Sequence, residues 1–542
     1  MKRIELHVET LALIASLFFT LACNARFWSA LVAGHDWSSG RTWLLVLAGG
    51  LIITCLHWFL LLLVLNRWTA KPLLVVLAFV SSVAAYFMAT YDVPLGPAML
   101  RNALETDVKE AAELLDWKMA PYVLGLGVVP AGLLWGVRIA PRSLRAAAWR
   151  RGATLLAAFA VFTVALWASM QELAPALREH RGLGYLVTPS NYLYSLASVY
   201  SRRAAEGAGP RLMVAQDAHR AAPAGARRPS AFVLVVGETV RASHWGLGEY
   251  GRQTTPELAR RGVLNFSDVT SCGTDTATSL PCMFSVYGRR HYDEERIRHS
   301  ESVLHVLARV GVSVLWRDNQ SGCKGVCDGL AFEHSSQPPM NDPELCGSGR
   351  CLDAVLVKGL EKEIAATPGD VLIVLHMLGN HGPAYYQRYP AGFRRWQPTC
   401  DTTDLASCTR EALYNTYDNA ILYTDQVIAQ TIDLLSGVKS HDVGLLYVSD
   451  HGESLGERNL YLHGMYYRIA PDEQKKVPMI LWLSSGLQAK LELDAACLAA
   501  RAAAPASHDN LFHTALGLFE VRTASYEAAL DLAGRCRSSS RG

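Results

Sequence analysis

The chain has 542 residues, too many for one ordinary domain, and half of them are hydrophobic. Lysine plus arginine (51) and aspartate plus glutamate (49) leave a formal net charge of only +2. No basic tract with interleaved aromatics is present, which excludes nucleic-acid binding by a cationic surface.

Nearly all the long apolar runs fall before Ser169. Five are long and apolar enough to cross a bilayer, near 9–30, 42–65, 71–91, 119–138 and 153–169, the last being short. Lys2 and Arg3 precede the first, and Arg67 and Lys71 separate the second and third. Arg138, Arg142, Arg145, Arg150 and Arg151 separate the fourth and fifth. These basic segments belong on the cytoplasmic side. The acidic segment with Glu105, Asp107, Glu110, Glu113 and Asp116 belongs outside, so five spans carry everything after residue 170 outward. Trp28, Trp43, Trp68, Trp117 and Trp135 sit near span ends as interface anchors. The alternative, a cleaved signal peptide ending at "TLAC" with Cys23 lipidated, puts Thr20 where leucine is expected and leaves four hydrophobic runs over. Residues 101–117 read as a helix outside the membrane, with Leu104, Val108, Ala111, Leu114 and Leu115 as its apolar stripe. Residues 170–229 read as a connector: an amphipathic helix with a row of tyrosines, then an Ala/Gly/Pro/Arg linker.

Ten of the twelve cysteines lie in the C-terminal part. Eight form close pairs: Cys272/Cys282, Cys323/Cys327, Cys346/Cys351 and Cys400/Cys408, with Cys497 and Cys536 as a fifth. An even set outside the cytoplasm reads as disulfides in an oxidising space, although "CKGVC" also has tolerable spacing for zinc.

From 230 to 542 the pattern is α/β. Four apolar runs end in polar clusters: at Glu238; at Arg317, Asp318, Asn319, Gln320 and Lys324; at His376, Asn380 and His381; and at Asp450, His451 and Glu453. Ligands of open α/β sheets sit at the carboxyl ends of strands, and these residues offer oxygen and nitrogen donors suited to zinc or manganese. Singly, each is as well explained by a turn, a cap or a satisfied histidine; four together point to a site. Between Cys272 and Cys282 stands Thr276, whose hydroxyl needs a cation to become a nucleophile near neutral pH. A helix starting there would add its dipole, while Thr276 or Ser271 as a simple helix cap is the competing reading.

The motifs "GET" (237–239), "SCGTDTATSLPCMFS" (271–285), "WRDNQSGCKGVCD" (316–328), "GNHGPAYY" (379–386), "YVSDHGESLGE" (447–457) and "YLHGM" (461–465) carry a resemblance. Over its whole length the chain resembles the phosphoethanolamine–lipid A transferases of Gram-negative bacteria, the mobile colistin-resistance enzymes among them, within the alkaline phosphatase and sulfatase superfamily. The resemblance implies a five-span helical membrane domain and a periplasmic α/β domain with a central, mostly parallel sheet and helices on both faces. It implies Thr276 as nucleophile, and Glu238, Thr276, Asp450 and His451 as ligands of one zinc. His381 and His463 would bind substrate phosphate or a second zinc, and Lys324 would contact phosphate. Gln320 stands where the family often has asparagine. Thr106 and Glu110 align with a second substrate position. The implied donor is phosphatidylethanolamine and the implied acceptor lipid A, in a monomer of the inner membrane. A core sugar or other glycan as acceptor, a phosphoglycerol transferase and a phosphodiesterase are the alternatives. A sulfatase would need Cys-x-Pro-x-Arg, whereas Met-Phe-Ser follows Cys282. A non-catalytic lipid- or metal-binding membrane protein would be indifferent to loss of Thr276.

Overall fold

The computed structural model describes residues 4–33, 35–91, 93–105, 114–179, 183–206, 211–220, 227–347 and 350–537. The chain divides into two compact units, one of Met1–Leu104 with Leu115–Ala205, the other with Glu206–Gly542 as its body.

The first unit is helical. Its apolar stretches form α1 (Val8–Ala22), α2 (Ala25–Leu31), α3 (Gly40–Val64) and α4 (Ala70–Tyr91). There follow α5 (Pro97–Glu105), α6 (Met119–Gly136), α7 (Leu144–Glu179) and α8 (Ser190–Glu206). The helices α3, α4, α6 and the Leu144–Met170 part of α7 are long and apolar enough to span a bilayer. The expected first span is a pair, α1 and α2, bent by 61°. Asn24 stands at the break: its Nδ2 donates to Phe19 O, which also accepts from Cys23 N, and to Thr188 O, both at 2.8 Å, so a side chain joins the last turn of α1 to a distant segment. The expected short fifth span is a much longer helix, because Arg145, Arg150 and Arg151, read from the sequence as loop, lie in its first turns. The external helix begins at Pro97; Thr106 and Glu110 lie outside the described residues.

The connector is shared between the two units. Its helix α8 packs in the first unit, where Tyr192 is buried and its hydroxyl lies 3.2 Å from Ser81 Oγ. Further on, His219–Arg220 pairs antiparallel with Val521–Arg522, and Arg220 bonds to Asp370, so this stretch is part of the second unit.

The second unit is built on seven strands: β1 (Ser230–Gly237), β2 (Leu264–Phe266), β3 (Ser313–Asp318), β4 (Ala331–His334), β5 (Val371–His376), β6 (Asp442–Ser449) and β7 (Met479–Leu483). Their order is β2-β7-β6-β1-β5-β3-β4, and only the pairings of β7 are antiparallel. Alternate residues of β1 feed two cores. Phe232, Leu234 and Val236 join Leu280 and Phe512 on one face; Ala231, Val233 and Val235 join Tyr417 and Ile421 on the other. The helices behind those contacts are α9 (Thr276–Met283) and α12 (Asp509–Leu518) on the first face, and α11 (Arg410–Gly437) on the second. A sheet covered on both faces reads as continuous apolar runs, which is why its strands were visible in the sequence. The short helix α10 (Glu294–His299) follows α9.

Five disulfides join Cys272–Cys282, Cys323–Cys327, Cys346–Cys351, Cys400–Cys408 and Cys497–Cys536. The "CKGVC" cysteines are thus bonded to each other rather than arranged around a cation.

Candidate active site

Register brings the four polar strand ends together. His376 at the end of β5 is level with Val236 of β1 and Asp318 of β3, and Ser449 of β6 is level with Gly237. Glu238 and Asp450 therefore leave adjacent strands side by side. Thr239 holds a left-handed φ of 53°, uncommon for a β-branched residue. It is held there from both sides: its N–H donates to Asp450 Oδ1 at 3.2 Å and its carbonyl accepts from the Tyr417 hydroxyl. Gly379, at φ 51°, lets the loop after β5 lie against this turn; a Cβ there would sit 2.8 Å from Glu238 O and 2.9 Å from Glu238 N.

The nucleophile candidate arrives on α9. Asp275, not Thr276 or Ser271, is the cap: its carboxylate accepts from Thr278 N at 2.9 Å. That leaves the Thr276 hydroxyl for the strand ends. Its Oγ1 lies 3.0 and 3.3 Å from the two oxygens of Glu238 and 3.3 Å from His451 Nε2.

Glu238, Asp450 and His451 are fully buried, with one ligand atom of each within 4.8 Å of the others. Asp450 Oδ2 has no hydrogen-bond partner. His451 Nδ1 donates to Gly452 O at 2.9 Å, which turns Nε2 inward, 3.3 Å from Glu238 Oε1 and 3.3 Å from Asp450 Oδ2. Burial disfavours charge on all three. His451 outweighs it at Glu238, which shifts down, whereas burial and the charge of Glu238 push Asp450 up. At His451 burial lowers the pKa, but Asp450 and Glu238 win and raise it to about 10. An orphaned carboxylate oxygen, an inward imidazole nitrogen and a hydroxyl in a space that demands positive charge fit a bound divalent cation of the zinc type.

Other expected residues lie around this core. Gln320 Nε2 donates to Glu238 Oε2 at 3.2 Å, so the longer amide reaches the carboxylate. Lys324 Nζ donates to Ser321 O on the loop that carries Gln320. The His463 ring lies tilted against His451, centroids 4.4 Å apart, and edge-on to His381, 5.4 Å apart. Three features were not assigned from the sequence. Glu453 is buried, accepts from His463 Nδ1 at 2.8 Å and takes the Tyr385 hydroxyl, so it sets the orientation of His463. His376 Nδ1 donates to Asp318 Oδ1 at 2.7 Å beneath the strand ends. His508 is the third. Its Nε2 donates to Ser449 O at 2.9 Å and its Nδ1 accepts from Cys272 N at 3.0 Å, which ties the Thr276 loop to β6. Glu453 and His376 could be read from the sequence only as strand-end donors and His508 only by residue type, because the fold decides what each one holds.

The bonding of His508 requires the neutral ring, and burial lowers its pKa from 6.5 to about 4. The unfolded chain takes up this proton first, so the stabilisation is complete above pH 6.5 and is lost as pH falls toward 4. Thermal unfolding of the full chain should show a loss of up to roughly 3 kcal/mol across that window from this group. His508→Asn should flatten that slope; an unchanged slope would contradict the assignment.

Comparison with known proteins agrees with this architecture. The family model described as sulfatase matches residues 230–521, and the one described as phosphoethanolamine transferase EptA/EptB matches 53–204. Phosphoethanolamine transferase EptA of Escherichia coli is 38% identical, over 99% of this chain and 98% of its own. Phosphatidylethanolamine transferase Mcr-1 of Escherichia coli is also 38% identical, over 88% and 90%. The solved integral membrane lipooligosaccharide phosphoethanolamine transferase A (EptA) of Neisseria meningitidis superposes with a TM-score of 0.91 at 35% identity, over 98% of this chain and 99% of that one. Matched along nearly its full length in sequence and in fold, this chain belongs to the EptA-type phosphoethanolamine transferases, membrane proteins with an alkaline phosphatase/sulfatase-type domain.

Proposed function

We propose that the protein transfers phosphoethanolamine from phosphatidylethanolamine to a phosphate of lipid A, through a phosphothreonine at Thr276. The supporting observation is the Thr276 hydroxyl, 3.0 Å from Glu238 and 3.3 Å from His451 on a buried, cation-demanding cluster. Glu238, Asp450, His451 and Thr276 would hold one zinc, which when bound would lower the cost of the alkoxide and neutralise charge on the phosphoryl oxygens.

In the first stage Thr276 Oγ1 loses its proton to solvent and bonds to the donor phosphorus, and the bond to the diacylglycerol oxygen breaks. That leaving oxygen takes a proton from His463, which Glu453 holds and His381 adjoins. In the second, an oxygen of a lipid A phosphate bonds to phosphorus and the bond to Thr276 Oγ1 breaks. Lys324 and Gln320 contact the transferred phosphate. The α/β domain works on the periplasmic side of the inner membrane, where disulfides persist and both lipids are available. One chain carries every group needed, so the working unit is a monomer. The product masks anionic charge and lowers binding of cationic peptides such as polymyxins.

Mass spectrometry of lipid A and core sugars from cells with and without the protein tests this reading. One phosphoethanolamine should be added to a lipid A phosphate. Addition only to core sugar refutes the acceptor, and no addition anywhere refutes the transfer.

A further inference from the structure

Beside α9 the second unit contains a cavity of about 550 Å³ in which, of the residues given roles above, only Lys324 takes part. One wall is α9 and the residues just after it, through Pro281 and Ser285; the other walls are the chain from Ile297 to Ser302 and the loop from Ser321 to Asp328. Pro281 has no N–H for Ala277 O, one turn back in the helix. Arg298 Nη2 donates to that carbonyl instead, at 2.7 Å, which pins a guanidinium to the cavity wall next to the residue that follows Thr276. Its Nε is buried without a hydrogen-bond partner, 3.5 Å from Glu294 Oε1.

The opposite wall is preformed. The Cys323–Cys327 disulfide closes a loop in which Gly322, Lys324 and Gly325 all have left-handed φ, 86°, 49° and 90°. The loop begins at Ser321, immediately after Gln320, which touches Glu238. The two acids on the walls already have cations: Asp328 pairs with Arg211 at 2.6 Å, and Glu301 with Arg309 at 2.6 Å. Arg211 is thus held by Asp328 and Arg298 by Glu294, and what the cavity offers a ligand is these ion-paired guanidinium groups, Lys324 and serine hydroxyls; in the chain, Ala277, whose carbonyl Arg298 holds, follows Thr276, and Ser321 follows Gln320, which touches Glu238. That chemistry suits a sugar bearing phosphate.

We propose that this cavity seats the phosphosugar head of the acceptor and directs its phosphate toward Thr276; this rests on the reading that lipid A accepts phosphoethanolamine. Arg298 and Arg211 are then specificity residues for the second stage of the reaction. The test uses the full chain in detergent with an acyl-labelled phosphatidylethanolamine, following two signals: the burst of labelled diacylglycerol without acceptor, and transfer to lipid A. Arg298→Gln, which keeps a donor for Ala277 O, and Arg211→Glu should each raise the KM for lipid A about tenfold, the loss of one charged hydrogen bond, and leave the burst unchanged. In the unaltered protein, glucosamine phosphate should compete with lipid A and not slow the burst, a measurement that needs no variant to fold. An unchanged KM, equal loss of burst and transfer, or no competition by glucosamine phosphate would overturn the cavity assignment alone. A burst with no transfer to lipid A would overturn the acceptor reading, and the cavity assignment with it.

Discussion

Thr276→Ala is expected to abolish phosphoethanolamine transfer, with turnover falling by at least about a thousandfold. Its physical basis is the division of labour at the start of α9. Asp275 caps the helix and the Cys272–Cys282 disulfide closes the loop, so the substitution removes a hydroxyl and a methyl group without removing what holds the segment in place. Unfolding temperature should therefore change little, since the lost contacts are those of Oγ1 with Glu238 and His451. Thr276→Ser keeps the oxygen and should keep measurable transfer. Mass analysis of the protein after exposure to donor alone should find a phosphoethanolamine adduct in the unaltered chain and none in the alanine variant. Near-normal turnover by Thr276→Ala would remove the threonine from the chemistry.

Asp450→Asn should separate two properties that usually move together. With the imidazole of His451 protonated, the buried trio carries two negative charges and one positive, and burial already pushes Asp450 toward its neutral form. Asparagine is nearly isosteric, and its oxygen can still accept from Thr239 N and His451 N. The trio then sums to zero, so the metal-free variant should be at least as stable as the metal-free parent. A cation, however, loses a ligand and half the charge that holds it. Zinc-dependent stabilisation, worth about 3–4 kcal/mol when zinc is at 100 to 1,000 times its Kd, should vanish, and turnover should fall about a thousandfold or more. Unfolding temperatures with and without chelator, together with elemental analysis, measure both. Full zinc occupancy in Asp450→Asn would show that the cation sits elsewhere.

Much of the site could be read along the chain, because the signals were local. The β1 run ends at Glu238 and the β6 run at Asp450 with the polarity of neighbouring residues changing in a single step, and hydropathy needs only a window to mark α3 or α4. Cysteines four to ten residues apart can reach one another whatever the rest of the fold does. The details that residue order did not show have the opposite feature. The first span breaks at Asn24, whose amide meets Thr188, 164 residues later. The supposed linker is pinned at His219–Arg220 by a strand 300 residues on.

From residue order alone came the membrane helices, the buried parallel sheet, the oxidised compartment and the chemical types of the site, since hydrophobic period, strand length and cysteine spacing act over a few residues. Tertiary structure decided which of those types meet. Strand register set Glu238 beside Asp450; Asp275 took the cap and released Thr276; Glu453, His508 and Arg298 acquired their partners from segments 10 to 236 residues away. Burial then removed water from two carboxylates and an imidazole at once, and only in that shared, low-dielectric space does their mutual charge become a demand for a cation.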